Sequence, residues 1–145
     1  MKEIIRNGKY IVLGLFLVLI DQLTKYFFSI YQRDFGFFAI NYTQNTGVAF
    51  GFFQGANSWI IVISFIAIAL LYWYRKEFND LTLTLLFSGI IGNLIDRIFR
   101  GFVVDFIDFK IWPIFNFADI YLVLGVAIVM IISYQNSSKS SKASK

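Results

Sequence analysis

The chain has no cysteine and no histidine among its 145 residues. Without cysteine there are no disulfides, thiolate metal sites or cysteine nucleophiles, and without histidine the commonest general base and zinc ligand is missing as well. Any catalysis therefore falls to carboxylates, lysine, tyrosine or hydroxyl groups. Charge is scarce too: charged residues make up only 15% of the chain, whereas 58% are hydrophobic and 20% aromatic. A soluble domain of this length has too little interior to hide so much apolar surface, so the composition excludes a disordered chain and points to the bilayer as solvent. The net charge of +4 sits at the ends and between apolar runs instead of along one stripe. That is the pattern of topology signals, not of a nucleic-acid-binding face.

What is present is a series of apolar runs sized for membrane spans. Lys2, Arg6 and Lys9 precede the run Tyr10 to Ile20, the layout of the first two regions of a signal peptide. DQLTK follows in place of a small-residue cleavage site, so the segment reads as a retained first span over about 8–29. No charged residue occurs from Phe35 to Tyr74, and the second half of that stretch predicts a second span over about 57–74. A third, about 80–99, ends in the polar Asn93, Asp96 and Arg97. A fourth, about 114–134, begins with Asn116 and Asp119 and is followed by a basic tail over 137–145. The expected fold is a single membrane-embedded domain over 1–136, mainly α, with four transmembrane helices.

Orientation follows from the basic flanks. Lys2, Arg6, Lys9, Arg75, Lys76, Lys139, Lys142 and Lys145 lie on one side, against Lys25, Arg33, Arg97, Arg100 and Lys110 over longer connections on the other. By the positive-inside rule both termini are cytoplasmic, and the segments 30–56 and 100–113 lie on the outer face. Within the first of these, FGFFAINY and TGVAFGFF alternate aromatic or β-branched residues around a turn-prone Thr43–Gly47. This predicts a small extracytoplasmic β-sheet over about 35–55, its phenylalanines at headgroup depth.

An ionisable residue in a span is costly, and so is a functional-site hypothesis by default. Asp21, Asp96, Asp105 and Asp119 all fall near the outer ends of their segments. Asp21 and Lys25, at i and i+4, are spaced to pair as a structural ion pair. Asn93/Asp96 and Asn116/Asp119 each place an Asn on the face of its Asp, either to orient the carboxylate or to cap a helix end. Arg97 adjoins Asp96, Arg100 lies one turn further on, and a carboxylate beside a guanidinium suggests a structural, ionised group there. Asp105, among Val103, Val104, Phe106 and Ile107, and Asp119, among Phe117, Ala118, Ile120 and Tyr121, have bulky neighbours instead. Two such carboxyls sharing one proton would make an aspartic-protease pair, one activating water and the other donating to the scissile carbonyl. Ser88, Gly89 and Gly92 form a small-residue face for close helix approach. A proton relay would need acids staggered across the bilayer, and a subunit of a larger complex would use these acids only to pair with partner cations.

Four blocks carry a resemblance: Asp21-Gln-Leu-Thr-Lys25, Asn45-Thr-Gly-Val-Ala-Phe-Gly51, Gly92-Asn-Leu-Ile-Asp-Arg97 with Val103-Val-Asp-Phe106, and Phe115-Asn-Phe-Ala-Asp119. In this order on four spans they resemble the lipoprotein signal peptidases, the type II signal peptidases of bacteria. The resemblance implies an aspartyl endopeptidase of the bacterial cell membrane. It would act as a monomer without metal or cofactor, on prolipoproteins carrying a diacylglyceryl-modified cysteine, with membrane lipid as its surroundings and no nucleic acid. It implies Asp105 and Asp119 as the catalytic pair, with Asp96 the rival for the first place. Asn45, Asn93, Asp96, Arg97 and Asn116 would line or brace the site, Asp21 and Lys25 would support it, and 35–55 would cradle the substrate. The chain departs from the family in Ser88-Gly-Ile-Ile-Gly-Asn93, where a pair of glycines is expected, and in a short stretch from Lys110 to Pro113.

Overall fold

Four helices carry the apolar runs in the computed structural model, which describes residues 2–47 and 56–143, with side chains over 8–47 and 56–138. They are α1 (Lys2–Ile30), α2 (Asn57–Trp73), α3 (Asp80–Phe99) and α4 (Phe117–Ala143). Gly8–Ile30, Asp80–Phe99 and Phe117–Ser138 are long and apolar enough to cross a membrane. At 17 residues α2 stands at the short end of the spanning range. The bounds differ from expectation at both ends of the chain. The first helix starts at Lys2, and the fourth starts only at Phe117 but runs on to Ala143, through the segment read as a solvated tail.

The hub is α3. Its apolar window is 61% buried, against 11% in α1 and 17% in α4. The reason lies in its small residues. A Cβ on Gly89 would stand 2.5 Å from the backbone oxygen of Ala118, and one on Gly92 would stand 2.7 Å from Asp21 Oδ2. On the same stripe Ser88 Oγ donates to the Gly14 carbonyl at 3.3 Å. The stripe expected from Ser88, Gly89 and Gly92 therefore takes the α4 backbone at Gly89 and buried side chains of α1 and α4 at Gly92. The outward faces are the reverse of a soluble core, with Leu15, Leu19, Leu23, Phe65, Ile66, Val123 and Met130 all exposed. Apolar surface of that extent is what lipid would cover.

A three-stranded antiparallel sheet caps one end of the bundle, with β1 (Arg33–Asp34), β2 (Ala39–Asn45) and β3 (Val103–Asp108) in that order. The expected sheet between the first two helices thus takes its third strand from the connection between α3 and α4. No alternation announces β3, because five of its six residues are buried. Of the expected 35–55 segment, residues 48–55 lie outside the described residues; Phe35 and Phe37 are exposed. Beyond β3 the chain turns through Lys110 at φ 66° and comes back to pair Phe115 with Ile107. This return leaves Asn116 at the mouth of α4, so residues 114–116 belong to the sheet end and the helix cap, not to the fourth span.

Candidate active site

The β2–β3 register contains one irregularity, and it decides which side chains meet. Ile40 pairs with Ile107, but the next pair is Thr43 with Asp105, so Asn41 and Tyr42 together oppose Phe106. Such a bulge shifts the alternation of one strand against the other by one residue. After it Thr43 and Asn45 share a face with Val103 and Asp105, and all four line a cavity of about 790 Å³. Asn45 Nδ2 donates to Asp105 Oδ2 at 2.9 Å, a diagonal cross-strand contact that an unbulged register would send to the other face. Within the bulge, Asn41 Nδ2 donates to Asp108 Oδ2 at 2.7 Å.

The second carboxylate is built by a helix start. Asp119 N donates to Asn116 Oδ1 at 3.1 Å, and Asn116 N donates back to Asp119 Oδ2 at 3.1 Å. This is a reciprocal cap, with Asn at the cap position and an acid three residues on. Capping and orienting, alternatives in the sequence, are here the same contacts. The Asn116 amide also turns inward, giving 2.6 Å to Asp105 Oδ1 and 3.1 Å to Asn93 Oδ1. Asn93 Nδ2 in turn donates to Asp119 Oδ1 at 2.8 Å. Thus Asn116 touches both carboxylates, and Asn45 and Asn93 hold one each. Asp105 and Asp119 both line the cavity, with Asn93, Arg97, Trp112 and Phe115, and apolar residues of α2 such as Ile60 and Ile63.

Burial, and next the charge of Asp119, push the Asp105 carboxyl up to about 7; the hydrogen bonds from Asn45 and Asn116 pull the other way. Its carboxyl is 2% exposed, as the apolar residues around it in sequence suggest.

Behind the pair lies a buried ionic network. Lys25 and Asp21 are fully buried and 2.8 Å apart, the i, i+4 pair expected, but Lys25 Nζ also lies 3.1 Å from Asp96 Oδ2 and donates to Asn93 Oδ1 at 3.0 Å. Asp21 Oδ1 accepts from Ala118 N at 2.9 Å, which ties α1 to the start of α4. Two sequence expectations need correction. Asn93 does not orient Asp96, one turn along its own helix, but Asp119 across the interface. Asp96 does not pair with the adjacent Arg97: its partners are Lys25, Arg100 at 3.2 Å and the Val104 N–H at 3.1 Å. Successive residues on a helix point about 100° apart, so Arg97 is carried away from Asp96. It donates instead to the Gly47 carbonyl at 3.0 Å and lines the cavity. The structure thus gathers Asp21, Lys25, Asn45, Asn93, Asp96, Arg97, Asp105, Asn116 and Asp119 into one connected cluster.

Two contributors went unnoticed in sequence. Gln22 Nε2 donates to the Gly92 carbonyl at 3.0 Å and to Asp21 Oδ2 at 3.2 Å. Asn57 Nδ2 donates to the Arg97 carbonyl at 3.2 Å. Each is a polar residue at the edge of an apolar run, and that is the signal that could have marked them.

A family model described as Signal peptidase (SPase) II matches residues 13–135. A lipoprotein signal peptidase of Fusobacterium nucleatum is 42% identical over 139 residues, covering 84% of each chain. One from Staphylococcus aureus is 36% identical over 148 residues, covering 90% of this chain and 91% of its own. Among solved structures, one described as a bacterial membrane enzyme superposes with a TM-score of 0.84 at 32% identity, covering 91% of both chains. A second of the same description gives a TM-score of 0.75 at 33% identity over 86% of this chain and 92% of its own. With its four apolar helices, its small sheet and a family match over most of its length, this chain belongs to the signal peptidase II family of multi-pass membrane proteins.

Proposed function

We propose that the protein is a membrane-embedded aspartyl endopeptidase that removes signal peptides from prolipoproteins, cutting before the diacylglyceryl-modified cysteine. The observation that carries this reading is that Asp105 and Asp119, from different elements, line one cavity and are both held by Asn116, whose side-chain amide donates to Asp105 and whose backbone N–H donates to Asp119. Family membership supports the substrate class. Asp105 keeps its proton near neutral pH, as its burial favours, and Asp119 is the base. A water in the cavity gives its proton to Asp119 as its oxygen attacks the scissile carbonyl, while Asp105 protonates the carbonyl oxygen. Collapse of the resulting gem-diol returns one proton to Asp105 and delivers the other from Asp119 to the leaving nitrogen. Asn45, Asn93 and Asn116 hold both carboxyls in place throughout, so little reorganisation is needed as charge moves.

The same reading puts both termini in the cytoplasm and the cavity at the outer face of the cytoplasmic membrane, in line with the basic residues at the flanks. The substrate's acyl chains stay in lipid, and the enzyme works as a monomer. The test is cleavage of a diacylglyceryl-cysteine prolipoprotein peptide by purified protein in detergent. Wild type cuts before the lipidated cysteine, and Asp105→Asn and Asp119→Asn each lose at least about 10³-fold in rate, as when a member of a cooperating catalytic set is removed. Cleavage retained in Asp105→Asn but lost in Asp96→Asn would make Asp96 the partner of Asp119.

A further inference from the structure

Lys25 is fully buried, and each proton of its ammonium has an acceptor: Asp21 Oδ2 at 2.8 Å, Asp96 Oδ2 at 3.1 Å and Asn93 Oδ1 at 3.0 Å. The third contact leads to the reaction. With its oxygen held by Lys25 and Asn116, the Asn93 amide can turn only its nitrogen to Asp119.

The charges around the pair can be counted element by element. α1 brings Asp21 and Lys25, and α3 brings Asp96, Arg97 and Arg100. β2 and α2 bring none, since the chain has no charged residue from Phe35 to Tyr74. α4 adds near Asp119 only the phenol of Tyr121, beside Asp21. Asp108, buried but satisfied by Asn41 and the Lys110 N–H, and the exposed Lys110–Asp34 pair belong to the opposite end of the sheet from Asn45 and Val103. Three cations thus face two carboxylates other than the reacting pair.

We propose that Lys25 is a positioning residue for the hydrolysis: together with Arg97 and Arg100 it leaves the framework with one positive charge in excess, which matches a pair Asp105/Asp119 that holds a single proton. Where charges are buried, overall neutrality is the favoured state. Doubly protonated, the pair has no base; doubly ionised, it has no acid and leaves the site with a net negative charge. The network is therefore a charge reference for the pair as well as a brace between α1, α3 and α4. This rests on the hydrolytic reading above.

The test is the pH profile of kcat/KM, which reports the free enzyme. Lys25→Met removes a positive charge and is expected to move both limbs to higher pH by about one unit. Asp21→Asn removes a negative charge and moves both limbs to lower pH. The double variant Asp21→Asn/Lys25→Met restores the balance and brings the limbs back to the wild-type position; Lys25→Arg keeps them there. Arg100→Gln, at a partly exposed position, gives a smaller upward shift without emptying the buried ammonium site, and serves if Lys25→Met does not fold. The infrared band of protonated carboxyl, followed over pH in folded protein without substrate, reads the same proton independently of cleavage. Losses of rate that are uniform across pH, or limbs and bands that move the same way in the Lys25 and Asp21 variants, would overturn the proposal. No cleavage by wild type would instead overturn the hydrolytic reading, while the infrared titration would still decide whether the framework sets the proton count.

Discussion

Asp105 is the deeply buried carboxyl of the proposed pair. Its carboxyl sits at 2% exposure with both oxygens accepting from amides, and burial still outweighs those bonds. Removing one donor follows a definite sign. The Asn45 bond favours the ionised form, so Asn45→Ala raises Asp105 further, and the alkaline limb of the activity profile, expected near pH 7 in wild type, moves to higher pH. A pH–rate profile in detergent checks it, and an unmoved limb would mean that Asn45 does not govern this proton. Stability carries the same signature. Asp105 is raised from 3.8 to about 7, so the folded state binds its proton more tightly than the unfolded state does. The stability this group contributes is complete below about pH 4 and is lost as pH climbs through 7. Asp105→Asn, which cannot ionise, should therefore gain in Tm relative to wild type between about pH 5 and pH 8, measured by thermal unfolding at both pH values.

At the scale of elements, two local devices aim the site. The β2 bulge turns Asn45 toward Asp105, and the Asn116 cap points Asp119 and its own amide into the same cavity. Cap and bridge can be separated. Serine at a cap position still accepts from the backbone but cannot reach inward as the Asn116 amide does. Asn116→Ser is therefore expected to keep stability within about 1 kcal/mol while cleavage falls by roughly 10²-fold or more, since Asp105 loses a hydrogen bond and Asn93, which holds Asp119, loses a donor. Thermal unfolding and cleavage assayed on the same preparation distinguish the two roles. An Asn116→Ser variant as active as wild type would reduce Asn116 to a helix cap.

At the scale of the molecule, α3 holds the assembly together because its small residues let α1 and α4 come within backbone reach. Gly89 is the most confined point, with Ala118 O and Leu122 Cγ at 2.5 and 2.6 Å from where a Cβ would be. A backbone oxygen cannot swing aside, so Gly89→Ala must push α4 away, at a cost of about 1–3 kcal/mol, and shift Asp119 with it. Gly14→Ala is the matched control: its Cβ would meet only side chains at 3.5 and 3.6 Å, ordinary contact distances, and an alanine helps the helix. Thermal unfolding should separate the two variants, and loss of cleavage should accompany only the first. Equal stability would mean that the α3–α4 contact is softer than its distances imply.

Much of this was legible in the chain itself, and the reason is that the bilayer reads composition directly. Four apolar runs of spanning length, the small-residue stripe at Ser88, Gly89 and Gly92 and the apolar surroundings of Asp105 need no tertiary knowledge, because each is a local property of the sequence. Local pairings fared unevenly: Asp21–Lys25 and Asp96–Arg100 form as their spacing suggests, while Asp96 passes over the adjacent Arg97 for Lys25 of another helix. Partners beyond the helix turn were out of reach. β3 has no alternation because it is buried on both faces, and the bulge depends on register between segments some sixty residues apart. Whether Asn93 serves Asp96 or Asp119 is decided by helix packing, since an amide bonds to whatever carboxylate the neighbouring backbone brings within 3 Å. Sequence thus determined which groups are costly and where along the chain they lie; the tertiary structure alone decided which of them meet, because hydrogen bonds and ion pairs depend on distances that only the packed helices and the bulged sheet define.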